Sequence, residues 1–143
     1  MINIDNYKKT EYMLYNYKNF KAEIKNILLE IEEIENSYRG ISAIEYSDMP
    51  KAYNNNSSVE QEIEEKEKRI EYLNQLIIKK ENMIQRVDNA LEALTEDERK
   101  LVEMRYFNKI PNIKIAEILD LTEQTTSIMK GRIINKMINL MFF

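Results

Sequence analysis

Residues 96–140 read EDERKLVEMRYFNKIPNIKIAEILDLTEQTTSIMKGRIINKMINL, and the interpretation of the whole chain starts from this stretch. A short apolar helical pattern over residues 113–119 is followed by a break at Asp120 and Leu121. A second helical pattern starts at Thr122 and continues almost to the end of the sequence. Two helices joined by about three residues form the helix-turn-helix, which places its second helix in the major groove of DNA. The stretch therefore predicts a helix-turn-helix.

The residues that flank the two helices agree with this prediction. Thr95 and Glu98 have the spacing of a capping box, which starts a helix over residues 96–107. Asp120 stands where a left-handed backbone is needed, and aspartate tolerates that conformation at modest cost. Thr122 is suited to cap the second helix. The residues predicted to pack inward are Leu101, Met104, the Arg105 stem, Tyr106 or Phe107, Ile115, Ala116, Ile118, Leu119, Thr126, Met129, Ile133, Met137 and Leu140.

The other face of the last helix is the candidate DNA-binding surface. Near its start, Gln124 has the amide that pairs with adenine, and the Thr125 methyl can meet a thymine methyl. The alternative for each such residue is a solvated surface position. Gly131 costs about 1 kcal/mol relative to alanine in a helix; it predicts either a close backbone approach or a tolerated kink. The predicted DNA-binding residues are Lys114, Thr122, Gln124, Thr125, Ser127, Ile128, Lys130, Arg132 and Lys136, with the cations assigned to phosphates.

Composition excludes several classes of protein. Two glycines, two prolines and 32% charged residues leave few turns and favour an all-α chain. The absence of cysteine excludes disulfides and thiolate metal sites, and indicates a cytoplasmic location. The absence of histidine removes the commonest general base and metal ligand. We therefore expect no enzyme activity, no metal and no cofactor. No apolar run approaches the length of a membrane span, so no membrane partner is expected.

Charge is distributed unevenly along the chain. Residues 1–94 carry 13 basic and 18 acidic side chains, a balance of −5, whereas residues 95–143 carry 8 and 7, a balance of +1. Residues 122–143 contain three basic side chains and one acidic side chain, a balance of +2. This distribution favours a DNA-binding end and a separate partner-binding end. Because the positive potential is weak, a monomer should bind DNA weakly and in a salt-sensitive way.

The first two thirds of the chain have the apolar heptad pattern of long paired helices. Lys66 and Lys80 interrupt the second seam, where they weaken it, select a register or extend their stems past an apolar partner. Helices are predicted at about 4–38 and 58–93, packed as a hairpin within one chain or as part of a dimer. The first seam is Met13, Tyr17, Phe20, Ile24, Ile27, Ile31, Ile34, Tyr38 and Ile41, and the second contains Val59, Ile63, Lys66, Ile70, Leu73, Ile77, Lys80, Ile84, Val87, Leu91 and Leu94.

Residues 39–57 are predicted to connect these helices. Gly40 is suited to end the first helix, and Ser57 or Ser58 can cap the second. A disordered connector is favoured over an ordered contact loop, although the loop contains apolar residues. Those residues are Tyr46, Met49 and Tyr53.

The apolar first seam also predicts assembly. The apolar surface of this seam is larger than a partner helix with two seam lysines would cover. We therefore expect a homodimer through the arm. The alternative is an intramolecular hairpin. The residues assigned to dimerisation are Phe20, Ile24, Ile27, Ile31 and Ile34. Residues 95–143 alone are expected to fold but to bind DNA poorly.

Three motifs resemble a known family. L-T-x-x-E-R-x-L-V-x-x-R-Y-F from Leu94, I-A-E-I-L-x-L-T from Ile115, and T-T-x-x-M from Thr125 with a later K-M pair resemble the region-4 helix-turn-helix of bacterial σ factors. The helical arm and its Y-S-D-M-P-K segment are similar to the phage-encoded regulators of the ArpU/RinA late-gene activator type. The last helix departs from the family because its basic residues are few and Gly131 interrupts it.

These observations predict an all-α fold, with a long coiled-coil-like helical hairpin arm over residues 1–94 and a sigma-region-4-like helix-turn-helix DNA-binding domain over residues 95–143. The resemblance implies a transcriptional regulator of phage or prophage origin that binds double-stranded promoter DNA. The arm would mediate dimerisation or contact RNA polymerase. The alternative is an interaction module that contacts RNA polymerase or a σ factor without reading DNA.

Overall fold

The computed structural model describes the backbone of residues 4–46 and 53–143 and the side chains of residues 4–37 and 58–143. All regular structure in these ranges is helical, as the sequence predicts. The helices are α1 (Ile4–Tyr15), α2 (Tyr17–Tyr46), α3 (Tyr53–Glu92), α4 (Glu96–Val102), a π-helical turn (Glu103–Phe107), α5 (Asn112–Leu119) and α6 (Glu123–Met141).

The chain divides into two compact units, and the boundaries between them differ from the predicted division at residue 95. The first unit combines Met1–Lys21 with Glu81–Phe143, and the second is Ala22–Lys80. The first unit thus contains α1 and the end of α3 together with the C-terminal helices. By sequence, it carries 13 basic and 12 acidic residues, a balance of +1, and the second carries 8 and 13, a balance of −5.

The second unit is an antiparallel pair formed by α2 and α3, as the heptad patterns predict. Its core contains Ile27, Ile31, Leu73 and Ile77, with Ile24, Ile34, Ile70 and Leu76 packed at the sides. Ion pairs join the two helices at its edge, because Lys80 reaches Glu23, and Arg69 lies 3.2 Å from Glu30. The other seam lysine, Lys66, pairs with Glu62 on its own helix at 3.1 Å. Both seam lysines therefore extend past the apolar seam and end beside carboxylates.

The seam residues assigned to dimerisation are covered mostly within one chain. Phe20 is 2% exposed and contacts Tyr12 edge to ring, while Ile27 and Ile31 are 8% exposed against α3. Ile24 and Ile34 are partly buried in the same cluster. The uncovered apolar surface from which the dimer was predicted is therefore largely absent at these positions.

The helix ends in the middle of the chain differ from the predicted ones. α2 continues past Gly40 to Tyr46, and α3 begins at Tyr53, before Ser57 and Ser58. A glycine inside a helix costs only about 0.5–1 kcal/mol, and each asparagine costs less than that, so neither prevents helix formation. Residues 47–52, which belong to the predicted connector, lie outside the described residues.

The predicted single helix over residues 4–38 is divided at Asn16. The Tyr12 carbonyl accepts two hydrogen bonds from Asn16, one from its backbone N–H at 3.1 Å and one from its side-chain amide at 2.9 Å. A side chain that bonds the carbonyl four residues back competes with the helical ladder and bends the helix. The division separates α1, which packs on the C-terminal helices, from α2.

The core of the first unit combines side chains from three parts of the chain. From α1 come Met13 and Leu14, which are 2% and 0% exposed. The end of α3 supplies Val87 and Ala90, and Leu94 follows it. The C-terminal helices supply Leu101, Val102, Tyr106, Ile133, Ile134, Met137 and Met141. The helix-turn-helix therefore shares one core with α1 and α3.

Candidate nucleic-acid interface

α5 and α6 form the predicted helix-turn-helix. Asp120 ends α5 in the left-handed conformation, with φ 56° and ψ 46°, as expected. The N–H of Leu121 donates to the Ala116 carbonyl at 2.8 Å, which satisfies the last turn of α5. Thr122 then caps α6, because its hydroxyl oxygen accepts from the Thr125 N–H at 3.1 Å. A single left-handed residue and one side-chain cap thus produce the turn.

A capping box begins the preceding helix, α4, as predicted. The Glu98 N–H donates to the Thr95 hydroxyl at 3.2 Å, and the Thr95 N–H donates to the Glu98 carboxylate at 2.9 Å. Lys136 of α6 lies 3.0 Å from the same carboxylate. The hydrogen bonds from Thr95 and Lys136 lower the pKa of Glu98 below its ordinary value. The ionised carboxylate therefore connects the start of α4 to α6.

The buried face of α6 is rotated slightly from the predicted one. Thr126, Ile133 and Met137 are buried as expected, but Leu140 is 40% exposed. Ile134 and Met141 take its place in the core. The four-and-three spacing allows either of two neighbouring stripes, and the packing of α1 and α3 selects the one with more large side chains.

The buried face of α5 also differs at one position. Ile115 and Ala116 are buried, whereas Ile118, which was expected in the core, is 61% exposed. Ile118 and Ala116 lie on opposite faces of the helix, so only one of them can face α6. The small Ala116 takes that position, as a close crossing requires.

The outward face at the start of α6 contains the predicted base-reading residues. Gln124, Thr125 and Ser127 are exposed, and Ile128 is 49% exposed. The Thr125 hydroxyl oxygen accepts from the Thr122 hydroxyl at 2.8 Å, and the Ser127 oxygen accepts from the Asn112 amide at 3.2 Å. Hydrogen bonds inside the helix-turn-helix therefore hold two of the hydroxyls on this face.

Lys130 does not lie on that face, contrary to the prediction. Its side chain is 19% exposed, and its ammonium lies 3.7 Å from the Glu11 carboxylate of α1. Helical geometry places residue 130 beside the buried Thr126, Ile133 and Ile134. The sequence pattern missed this arrangement because the partner of Lys130 lies more than a hundred residues away.

The other three candidate phosphate ligands are exposed to different degrees. Lys114 and Glu117 are both 66% exposed and lie 3.9 Å apart, so their ion pair is weak. The Lys136 side chain is 44% exposed beside Glu98. Arg132 is exposed, and no ion pair joins it to another of the described residues. Among the cations of α6, Arg132 is therefore the most available for an external anion.

Glu11 connects α1 to two C-terminal elements. Besides Lys130, its carboxylate accepts a hydrogen bond from the Tyr106 hydroxyl at 2.7 Å. Tyr106 is fully buried, and its ring meets Tyr15 edge to face with centroids 4.8 Å apart. Burial raises the pKa of Tyr106 far above its ordinary value, and the hydrogen bond to Glu11 is the second-largest cause of this rise. Tyr106 therefore stays a neutral donor to Glu11.

Arg105 makes contacts that the sequence pattern did not indicate. The Arg105 guanidinium lies 5.5 Å and 5.7 Å from the ring centroids of Tyr15 and Tyr106, and its Nε is buried without a hydrogen-bond partner. The sequence assigned only the stem of Arg105, to the core.

Gly131 has open space where a side chain would begin, since a Cβ built there meets nothing within 4 Å. No neighbour among the described residues thus explains this glycine.

Comparison with known proteins agrees with the geometry. Residues 84–136 match the family model described as Sigma-70, region 4. The match begins near the end of α3 and includes α4, α5 and most of α6. A region 4 helix-turn-helix implies DNA binding in the context of transcription, and domains of this kind are typically non-catalytic. No curated protein matches the chain, and no solved structure matches it.

No helix in the described part of the chain is both long and apolar enough to cross a bilayer. No group of three or more acidic, histidine or cysteine side chains within that part of the chain could hold a metal ion.

Proposed function

We propose that this protein is a DNA-binding transcriptional regulator that binds promoter DNA through α6. The observation that carries the proposal is the capped helix-turn-helix inside the segment that matches sigma-70 region 4. Its second helix exposes Gln124, Thr125 and Ile128 at the end that reaches base edges in proteins of this architecture.

The charges divide the proposed contacts into two kinds. Arg132, Lys136 and Lys114 bind phosphates, whereas Thr122, Gln124, Thr125, Ser127 and Ile128 lie nearer the bases. Lys130 leaves the proposed set because Glu11 holds it. Few phosphate contacts mean a small electrostatic contribution to affinity, so binding should be modest at physiological salt.

Fluorescence anisotropy with a labelled duplex, repeated at several salt concentrations, tests the proposal. The wild-type protein should bind, and its affinity should fall with rising salt. Arg132→Ala should weaken binding to all sequences and reduce the logarithmic salt slope by about one, the equivalent of one phosphate contact. Lys130→Met is the matched control: it removes a cation of the same helix, and we expect the slope to stay unchanged.

An interaction module that contacts RNA polymerase or a σ factor is the second candidate. One observation favours it: α5 exposes Ile113 at 54% and Ile118 at 61%, more apolar surface than a helix beside DNA needs. If no duplex, including the DNA that flanks the gene, shows salt-dependent binding, this candidate replaces the first. Replacing both isoleucines with serine should then abolish capture of purified RNA polymerase.

The proposal extends to origin and assembly. The long helical arm ahead of the helix-turn-helix supports a regulator of phage or prophage origin, similar to the ArpU/RinA late-gene activators. Two copies are proposed because one helix-turn-helix with a single unpaired arginine supplies few contacts. Light scattering on the intact chain tests assembly: twice the mass of 17.2 kDa supports a homodimer, and the single mass contradicts it.

A further inference from the structure

We propose that α6 selects A·T base pairs in the major groove, with Gln124 reading adenine and Ile128 and Thr125 packing against thymine methyls. This inference rests on the proposed DNA-binding function and specifies its target. Its basis is the set of groups that the first two turns of α6 leave available after contacts within the chain are satisfied.

Guanine lacks its commonest partner on this part of the helix. Guanine is read mainly by arginine or lysine, which bonds its O6 and N7 together. The sequence has no cation between the Thr122 cap and Lys130, and Lys130 is held by Glu11 at 19% exposure. Arg132 lies one turn beyond Ile128, where phosphates are the nearer partners. The residues nearest the base edges therefore cannot form the commonest contact to guanine.

Adenine does have a partner. The carbonyl and amino groups of a glutamine side chain match the N6 amino group and N7 of adenine. Gln124 is exposed, and within the described part of the chain nothing hydrogen-bonds its amide. Both of its polar groups are therefore available to a base.

Thymine is favoured by the apolar groups beside Gln124. Helical geometry places Ile128 one turn after Gln124 on the same face, and its side chain is 49% exposed. The hydroxyl oxygens of Thr125 and Ser127 already accept hydrogen bonds from Thr122 and Asn112. Isoleucine offers a base no hydrogen bond, and the apolar group that the major groove presents is the C5 methyl of thymine.

Glu123 is the group on this face that could favour a different base. A carboxylate can accept from the N4 amino group of cytosine. Glu123 is the first residue of α6, where a negative charge is stabilised by the helix dipole. This gives the carboxylate a role in the helix itself, and the Glu123→Gln variant separates that role from base reading.

Three duplexes of equal length test the preference by anisotropy at one salt concentration: A·T-rich, G·C-rich, and the G·C-rich sequence with inosine in place of guanine. Inosine keeps the major-groove edge of guanine but makes the minor groove resemble that of A·T. We expect the A·T duplex to bind about tenfold more tightly than the other two. If the inosine duplex binds like the A·T duplex, the minor groove or DNA shape is being read, and the inference is overturned.

Uracil in place of thymine tests the methyl contact, because it removes only the C5 methyl. Wild-type binding should weaken about fourfold for each methyl in contact. Ile128→Ser should lose the part of this sensitivity that Ile128 provides and keep the part due to Thr125, whereas Ile78→Ser, which alters an isoleucine 56% exposed on α3, should keep all of it. Equal sensitivity in both variants would overturn the role of Ile128.

The outcomes also separate this inference from the proposed function. Salt-dependent binding with equal affinity for all three duplexes, or with a G·C preference that Glu123→Gln removes, refutes the A·T preference and leaves DNA binding in place. Absence of salt-dependent binding to every duplex refutes both.

Discussion

The sequence patterns of the two compact units differ, and this difference explains how much of each unit could be predicted from the sequence. In the second unit, Ala22–Lys80, one helix pair buries a single seam, and each helix has the heptad pattern of that seam. In the first unit, the core combines side chains from α1, the end of α3 and the C-terminal helices. Periodicity indicates that a helix has an apolar face, but it does not indicate which distant helix covers that face.

The largest expected effect comes from removing α1 and α3 from the first unit. We expect residues 95–143 alone to lack cooperative unfolding, contrary to the prediction from sequence. The reason is that Met13, Leu14, Val87 and Ala90 would be missing from the core. Circular dichroism during thermal unfolding is the measurement.

A shortened chain provides the control for this prediction. It joins residues 1–21 to residues 81–143 through a flexible Gly/Ser linker, and it should unfold cooperatively because it keeps the whole core. A cooperative transition in the isolated residues 95–143 would contradict the idea that the helix-turn-helix depends on α1 and α3.

A smaller effect is expected from one core leucine. Leu14 is 0% exposed, so Leu14→Ala should lower the free energy of unfolding by about 2–5 kcal/mol through lost burial and a cavity. Leu28→Ala changes the same side chain at a site that is 53% exposed and should cost less than about 0.5 kcal/mol. Urea unfolding of both variants makes the comparison, and equal losses would show that Leu14 is not part of the core.

Local signals were predicted well from the sequence, and remote contacts were not. The capping box at Thr95, the left-handed Asp120 and the Thr122 cap depend on residues within four positions, so the sequence contains all the information. The seam of α2 and α3 could be predicted because many heptads repeat the same signal.

The misplacement of Lys130 shows where such reasoning fails. Its position on α6 fits two adjacent stripes, and the charge favoured the solvent-facing one. The structure places its ammonium 3.7 Å from the Glu11 carboxylate, which also accepts a hydrogen bond from Tyr106. The division of the first helix at Asn16 has no periodic signal either. DNA contacts at the base-reading residues depend on a partner outside the chain, and they stay predictions.

The capping box should contribute about 1 kcal/mol. Thr95→Ala removes the acceptor for the Glu98 N–H and should lower the free energy of unfolding by that amount. Matched chemical denaturation of Thr95→Ala and Thr95→Ser gives the test, since serine keeps the cap. Equal losses in the two variants would mean that the hydroxyl does not stabilise α4.

The Glu98 carboxylate makes the free energy of unfolding depend on pH. Its folded pKa is lowered by hydrogen bonds from Thr95 and Lys136, so its charge stabilises the fold above the unfolded-state pKa. That stabilisation should disappear as the pH falls through the folded-state pKa. Glu98→Gln keeps an acceptor for the Thr95 N–H but has no charge. The stability difference between wild type and Glu98→Gln should therefore hold above the unfolded-state pKa of about 4.3 and shrink as the pH falls from there through the lower folded-state pKa. A constant difference would assign the effect to packing.

The smallest effect is expected from Gly131→Ala, which should change stability and DNA binding in opposite directions. A Cβ at residue 131 meets nothing within 4 Å, so Gly131→Ala introduces no clash within the chain. Alanine restricts the unfolded chain and favours the helix, so the free energy of unfolding should rise by about 0.5–1 kcal/mol. Residue 131 lies on the same face of α6 as Gln124 and Ile128, and a methyl group added there would meet DNA that approaches the helix backbone closely. We therefore expect higher thermal stability together with weaker duplex binding. Higher stability with unchanged binding would show that Gly131 is only a tolerated cost in the helix.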